Sequence, residues 1–208
     1  MCGGQDPVSR RLAHRALSRL SFLASLRALP PRVAWFYWRA ERTARKTGDQ
    51  WSLDSVVRPG ELADIVELAS GREHVVELGT GTAWTAVALA LGDRRRRVTT
   101  YDPIVRPQRD LYLGLLGKDA RTRLELVRTS GRDGANDAAG VGMVFIDSSH
   151  ERTETIAEFE AWRAHLQPHG IVVFHDFHHP DYPGVAEATA DLGLEGEVRG
   201  GLFVWRAG

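Results

Sequence analysis

Short runs of β-branched and aliphatic residues alternate along this chain with stretches in which apolar residues recur every three or four positions. The runs are His74–Leu78, Val98–Tyr101, Leu124–Val127, Met143–Ile146 and Ile171–Phe174, each of strand length. Leu62, Ile65, Val66 and Ala69 follow the period of an amphipathic helix, which Gly71 ends. Helices are likewise expected over Ala83–Leu91, apolar on most of its circumference, and over Leu111–Gly117, Glu151–Leu166 and Val185–Leu192. Glu197–Arg199 and Leu202–Trp205, joined by Gly200-Gly201, read as a closing hairpin. The alternation implies an α/β fold, Rossmann-like and doubly wound: a mostly parallel, seven-stranded sheet ending in an antiparallel hairpin.

Upstream, the pattern changes. Arg11–Leu29 reads as a partly amphipathic helix ended by Pro30-Pro31, and Val33–Lys46 as a second helix carrying Trp35, Phe36, Tyr37 and Trp38 in one run. Four consecutive aromatics point all round a helix, so some must meet a surface beyond it. One reading is a collar packing an appendage onto the main domain; the other is a lid wall over a substrate, or an oligomer contact. The expected division is an N-terminal helical appendage or lid over residues 1–50 and the α/β domain over residues 51–208, with Gly48–Gly60 a loop.

Composition narrows the partners. Lysine plus arginine (27) equals aspartate plus glutamate (27) in the 208 residues, so no global basic field argues for nucleic acid. The one cysteine, Cys2, leaves no internal disulfide and fits a reducing compartment. Ser9-Arg10-Arg11 contains a twin-arginine pair, but Arg15, Arg19 and Arg27 interrupt the apolar residues around them. No run approaches the ~18 apolar residues of a membrane span. A cytoplasmic protein without membrane association is expected.

The stretch Val75-Val76-Glu77-Leu78-Gly79-Thr80-Gly81-Thr82-Ala83-Trp84 runs from a strand through a glycine turn into a helix. Gly79 and Gly81 let the backbone turn tightly and approach a ligand with no Cβ in the way, and the helix start offers unpaired N–H groups. A dinucleotide fingerprint wants a third glycine where Trp84 stands. Glu77 would repel a pyrophosphate but attract an α-ammonium group. Glu77, Gly79, Thr80 and Gly81 are therefore candidates to hold a cofactor. About 20 residues on, Asp102 ends the second strand, where a carboxylate can accept from both ribose hydroxyls of an adenosine. The E-x-G-x-G pattern and the acid beyond it resemble the motifs of class I S-adenosylmethionine (SAM)-dependent methyltransferases.

Further special residues sit at the ends of the later strands, where ligands gather in such sheets. Asp147-Ser148-Ser149-His150 follows the fourth strand, and His175-Asp176-Phe177-His178-His179 the fifth. Two acids on adjacent strand ends could share a divalent cation, which lowers the pKa of a bound hydroxyl. An imidazole is the side chain best suited to general-base work near neutral pH, which makes His150 a candidate base.

Phe145-Ile146-Asp147-x-x-His150, a helix containing Trp162, then Gly170, Val172-Val173-Phe174-His175-Asp176 and Pro183-Gly184-Val185 resemble the small methyltransferases of macrocin type, O-methyltransferases that tailor sugars and natural products. The resemblance spans most of Arg58–Trp205. It implies SAM as cofactor, a small hydroxylated acceptor, magnesium near Asp147 and Asp176, His150 as base, and adenine contacts near Ser130. Asp147 would also line the methionine end of the cofactor. Ser148, Arg152 and His169 stand where relatives carry a glycine, an aromatic and a second glycine. Two rival readings are a nucleotide-binding oxidoreductase, which Trp84 and Glu77 oppose, and a catalytically silent SAM-fold partner subunit. The second predicts cofactor binding without turnover, or a homo-oligomer that buries the Trp35–Trp38 surface.

Overall fold

The computed structural model describes residues 24–137 and 139–208. Its strands are β1 (His74–Leu78), β2 (Arg97–Tyr101), β3 (Leu124–Val127), β4 (Val141–Ile146), β5 (Leu166–Phe174), β6 (Gly196–Arg199) and β7 (Leu202–Arg206). They form one seven-stranded sheet in the order β3-β2-β1-β4-β5-β7-β6. β1 to β5 are parallel, and β7 runs antiparallel between β5 and β6. The expected doubly wound sheet with a closing hairpin is what forms.

The strand order reverses between β1 and β4, which opens a crevice over their C-terminal ends. Register brings those ends level: Leu78 pairs with Tyr101 and with Ile146, and Ile146 with Phe174. Gly79, Asp102, Asp147 and His175 therefore leave the sheet side by side.

Both faces are covered. α1 (Pro31–Thr47), α3 (Pro59–Leu68) and α4 (Trp84–Gly92) share one core with Val75, Phe145 and Val173. α7 (Arg152–Arg163) and α8 (Pro183–Asp191) share the other with Val76, Val144 and Val172. Successive strand residues alternate between the two cores, so the central strands read as unbroken apolar runs.

The aromatic run of α1 divides. Phe36 and Tyr37 are buried and meet the Trp84 ring edge-on at 6.4 and 5.4 Å. Trp35 is exposed and stacks on Trp38 at 5.0 Å. The buried half is the expected collar, and Trp84, in place of a third glycine, is its socket.

Three expectations are corrected. Gly48–Gly60 is mostly helical: α2 spans Gln50–Ser55, with Asp49 accepting from the Ser52 N–H at 3.1 Å, and α3 starts at Pro59. Six residues carry no readable period, but the Asp49 cap was a usable signal. Leu111–Gly117 is not one helix. α5 (Arg109–Leu113) covers only its first three residues, α6 (Lys118–Arg121) starts just beyond it, and the chain between them holds Gly114 and Gly117. Pro168-His169-Gly170 lies inside β5, whose pairing with β4 jumps from Val141↔Leu166 to Met143↔Ile171. Most of the helix expected over Arg11–Leu29, with Cys2 and Ser9–Arg11, lies outside the described residues. No described helix is long and apolar enough to cross a membrane.

Candidate active site

β1 enters α4 through a turn in which Gly79 has φ 102° and Gly81 φ 50°. A Cβ on Gly79 would stand 1.9 Å from the Asp147 carbonyl oxygen, so the ends of β1 and β4 touch backbone to backbone. Under the turn, Thr100 Oγ1 donates to Glu77 Oε2 at 2.5 Å and shares a 2.7 Å hydrogen bond with Thr80. Burial, helped by Asp147 and Asp102, pushes the Glu77 carboxyl up to about 8 against the opposing Thr100 hydroxyl.

Asp102 ties the turn to the β2 end. Its Oδ2 accepts from the Gly81 N–H at 2.9 Å and its Oδ1 from the Ile104 N–H at 2.7 Å. Arg109, from α5, closes the clasp: Nε donates to the Gly81 carbonyl at 2.9 Å, and Nη2 to the Ile104 carbonyl at 2.8 Å. Arg109 Nη2 also lies 3.4 Å from Asp102 Oδ2, so Oδ1 is the oxygen with lone-pair capacity to spare, and Asp102 lines the cavity. Nothing in the sequence separated Arg109 from the many other arginines.

A second group gathers at the ends of β4 and β5. His150 Nε2 lies 3.2 Å from Asp147 Oδ1 and 3.3 Å from Asp176 Oδ2. His175 Nδ1 lies 2.9 and 3.5 Å from the same two oxygens. His150 and Asp176 both hold left-handed backbone, φ 59° and 54°, a strain that non-glycine residues tolerate mainly where surrounding structure over-determines it. Burial opposes a charge on His175, yet Asp147, Glu61 and Asp176 outweigh it and raise the ring to about 11. Burial would also raise Asp147, but the His175 imidazolium and hydrogen bonds from His150 and His175 hold it well below the usual carboxylate range. His175 Nε2 is buried without a hydrogen bond, 3.7 Å from Glu61 Oε2.

One ligand atom from each of Asp147, His150, His175 and Asp176 lies within 4.8 Å of the others. The two carboxylates supply the oxygen donors magnesium prefers, and the imidazoles would suit a transition ion as well once His175 gives up its proton. The set therefore fits a divalent cation. His150 also stacks on Tyr182 at 4.7 Å, and Tyr182 on His179 at 4.6 Å. His178 and His179 are exposed at the rim.

Both groups open into one cavity of about 1300 Å³, larger than the 300–1,000 Å³ typical for one small ligand. It has room for a cofactor and a second molecule. The described residues that line it start at Trp51, so α2, not α1, forms the wall over the turn. Trp51 lies against Gly81, the Arg106 guanidinium sits 4.1 Å over its ring, and Ser52 holds Thr82 at 2.9 Å. Ser130 lines the cavity. Glu158, which the sequence reading passed over, lines it too; burial pushes that carboxyl up to about 7.

Residues 76–177 match the family described as a methyltransferase domain. Among solved structures, a methyltransferase from Geobacter sulfurreducens is 18% identical, with a TM-score of 0.64 over 91% of this chain and 96% of that one. The O-methyltransferase TomG of Streptomyces achromogenes, of tomaymycin synthesis and solved with SAM, is 17% identical, with a TM-score of 0.59 over 74% and 83%. CalS11, a TDP-rhamnose 3'-O-methyltransferase of calicheamicin biosynthesis, is 16% identical, with a TM-score of 0.56 over 99% and 96%. At these identities the likeness shows the fold. No curated protein matches. The family stretch contains the glycine turn, Asp102 and the Asp147–Asp176 cluster.

Proposed function

We propose that this chain, whose residues 76–177 match the family described as a methyltransferase domain, moves the methyl group of SAM to a hydroxyl of a small metabolite such as a sugar or natural-product scaffold. The observation that carries this reading is the single cavity, with the Gly79–Gly81 cradle and Asp102 in one part and His150 between two carboxylates in another. Glu77 takes the α-ammonium group, Gly79, Thr80 and Gly81 the backbone of the amino-acid end, Asp102 the ribose, and the Ser130 loop the base. Asp147 lines the methionine end and the reaction rim.

SAM supplies an activated methyl, so the protein must align the acceptor and take its proton. With the Nε2–H of His150 turned to Asp147 and Asp176, Nδ1 is the atom left to accept that proton, and the two carboxylates stabilise the imidazolium that forms. Asp147 and Asp176 would hold a magnesium ion, which would lower the acceptor hydroxyl's pKa. Residues 1–50 are read as an appendage on the domain of residues 51–208, and the exposed Trp35, stacked on the half-buried Trp38, as the face for a second copy. The balanced charge favours a small acceptor over nucleic acid, and the lone cysteine a cytoplasmic setting.

Calorimetric titration with SAM and S-adenosylhomocysteine, with and without magnesium, tests this. Wild type is expected to bind both, and Asp102→Ala to bind them roughly 10- to 100-fold more weakly, the size of one or two charged hydrogen bonds. Binding by neither ligand overturns the reading. Binding with no turnover across an acceptor screen favours the silent partner subunit. Because Glu77 holds its proton near neutrality, an arriving ammonium should expel it. At pH 7 the binding heat is expected to vary with buffer ionisation enthalpy, reporting release of about one proton; Glu77→Gln removes that dependence.

A further inference from the structure

α7 turns one stripe of side chains, Glu154, Glu158 and Trp162, toward the loop that follows β3. Trp162 Nε1 donates to the Gly131 carbonyl at 2.8 Å, and Glu154 Oε1 lies 3.5 Å from Ser130 Oγ. Between them, Glu158 is 1% exposed, an unusual place for a carboxylate that the methyl transfer does not use. Ser148 Oγ donates to its Oε2 at 2.6 Å. Its Oε1 stands in the space a side chain at position 131 would fill: a Cβ on Gly131 would lie 2.6 Å from it. The loop thus offers no side chain of its own there, and α7 supplies one in its stead.

Tyr101, Ser130, Gly131, Ser148 and Glu158 line the same cavity as Asp102, and form the wall available to the base of a nucleoside whose ribose sits on Asp102. We propose that Glu158 reads the base of the cofactor, its Oε1, which takes the place of a side chain at position 131, accepting from the exocyclic N6 amine of adenine. This rests on the SAM site proposed above. Ser148 fixes one carboxylate oxygen, so the other is presented as an oriented acceptor. An acceptor at that point favours an amino group and repels the carbonyl oxygen that a 6-oxopurine carries in its place.

The test compares S-adenosylhomocysteine with S-inosylhomocysteine, its 6-oxo counterpart, by calorimetry on wild type and Glu158→Gln. Wild type is expected to prefer the amine by about 30- to 100-fold. Glu158→Gln, whose amide can turn its NH₂ to the carbonyl, is expected to bring the two within about fivefold. The ratio is taken within each variant, so a general loss of stability cancels. An unchanged ratio in Glu158→Gln overturns the proposal. Equal binding of both ligands by wild type also overturns it while leaving the cofactor site standing. Binding of neither by wild type takes down the cofactor reading itself.

Discussion

Replacing His150 by asparagine is expected to lower kcat by about 10²- to 10⁴-fold while SAM affinity stays within about threefold of wild type. Asparagine is the apt substitution because it tolerates the left-handed backbone that His150 holds at φ 59°. It removes the base without disturbing the turn. The effect should fall on kcat, since His150 stands at the acceptor side and not on the glycine cradle. His175 cannot replace it. That ring is buried, and Asp147, Glu61 and Asp176 keep it protonated up to about 11 despite the burial, so at neutral pH it has no free lone pair to offer. Activity within threefold of wild type in His150→Asn would assign proton removal elsewhere on the rim.

Gly79→Ala should abolish measurable SAM binding and lower Tm by roughly 10 °C. Two independent obstacles add: a φ of 102°, which L side chains rarely adopt, and a Cβ 1.9 Å from the Asp147 carbonyl oxygen and 2.6 Å from its carbon. The obstruction is backbone, so no rotamer relieves it. The ends of β1 and β4 must part, at a cost of about 3–5 kcal/mol, which for a chain of this size corresponds to about 2–4 °C per kcal/mol. Parting them also shifts Asp147 away from His150 and His175. Gly60→Ala is the matched control, with nothing within 4 Å of its Cβ; its melting and SAM binding should stay at wild-type values. Normal SAM binding by Gly79→Ala would mean that the cradle is not where the cofactor lies.

The sheet was legible because its central strands are buried on both faces and are mostly apolar, as in Val75-Val76 and Ile171–Phe174. The glycine turn was legible because its backbone geometry excludes other residues. What stayed hidden was short or came from far away in the chain. α2 is a helix of six residues with no period to read, yet it supplies Trp51 and Ser52 to the cavity. Arg109 and Glu158 act through contacts with residues distant in sequence, and neither type is rare enough to stand out. Of the rim, Asp147, His150 and Asp176 could be suspected from their positions after strands. That His175 joins them while still packed near the sheet follows from the level ends of β4 and β5, which only the register shows. The aromatic run on α1 was ambiguous for the opposite reason: one helix presented two answers, a buried pair, Phe36 and Tyr37, and an exposed Trp35 stacked on a half-buried Trp38.

β7 is later in the chain than β5, yet it sits inside the sheet, between β5 and β6. It also pins the rim, since the Phe177 N–H donates to the Gly201 carbonyl at 2.9 Å and the Gly201 N–H to Glu61 at 3.2 Å. On the ribosome, the glycine cradle and its neighbours can pair while Leu202–Arg206 is still in the exit tunnel. A nascent chain at that stage holds β5, with Val172, Val173 and Phe174, as an open apolar edge, the kind that recruits other strands. Synthesis rate through the final hairpin, and chaperone capture of that edge, should therefore govern how much of this protein reaches its native state.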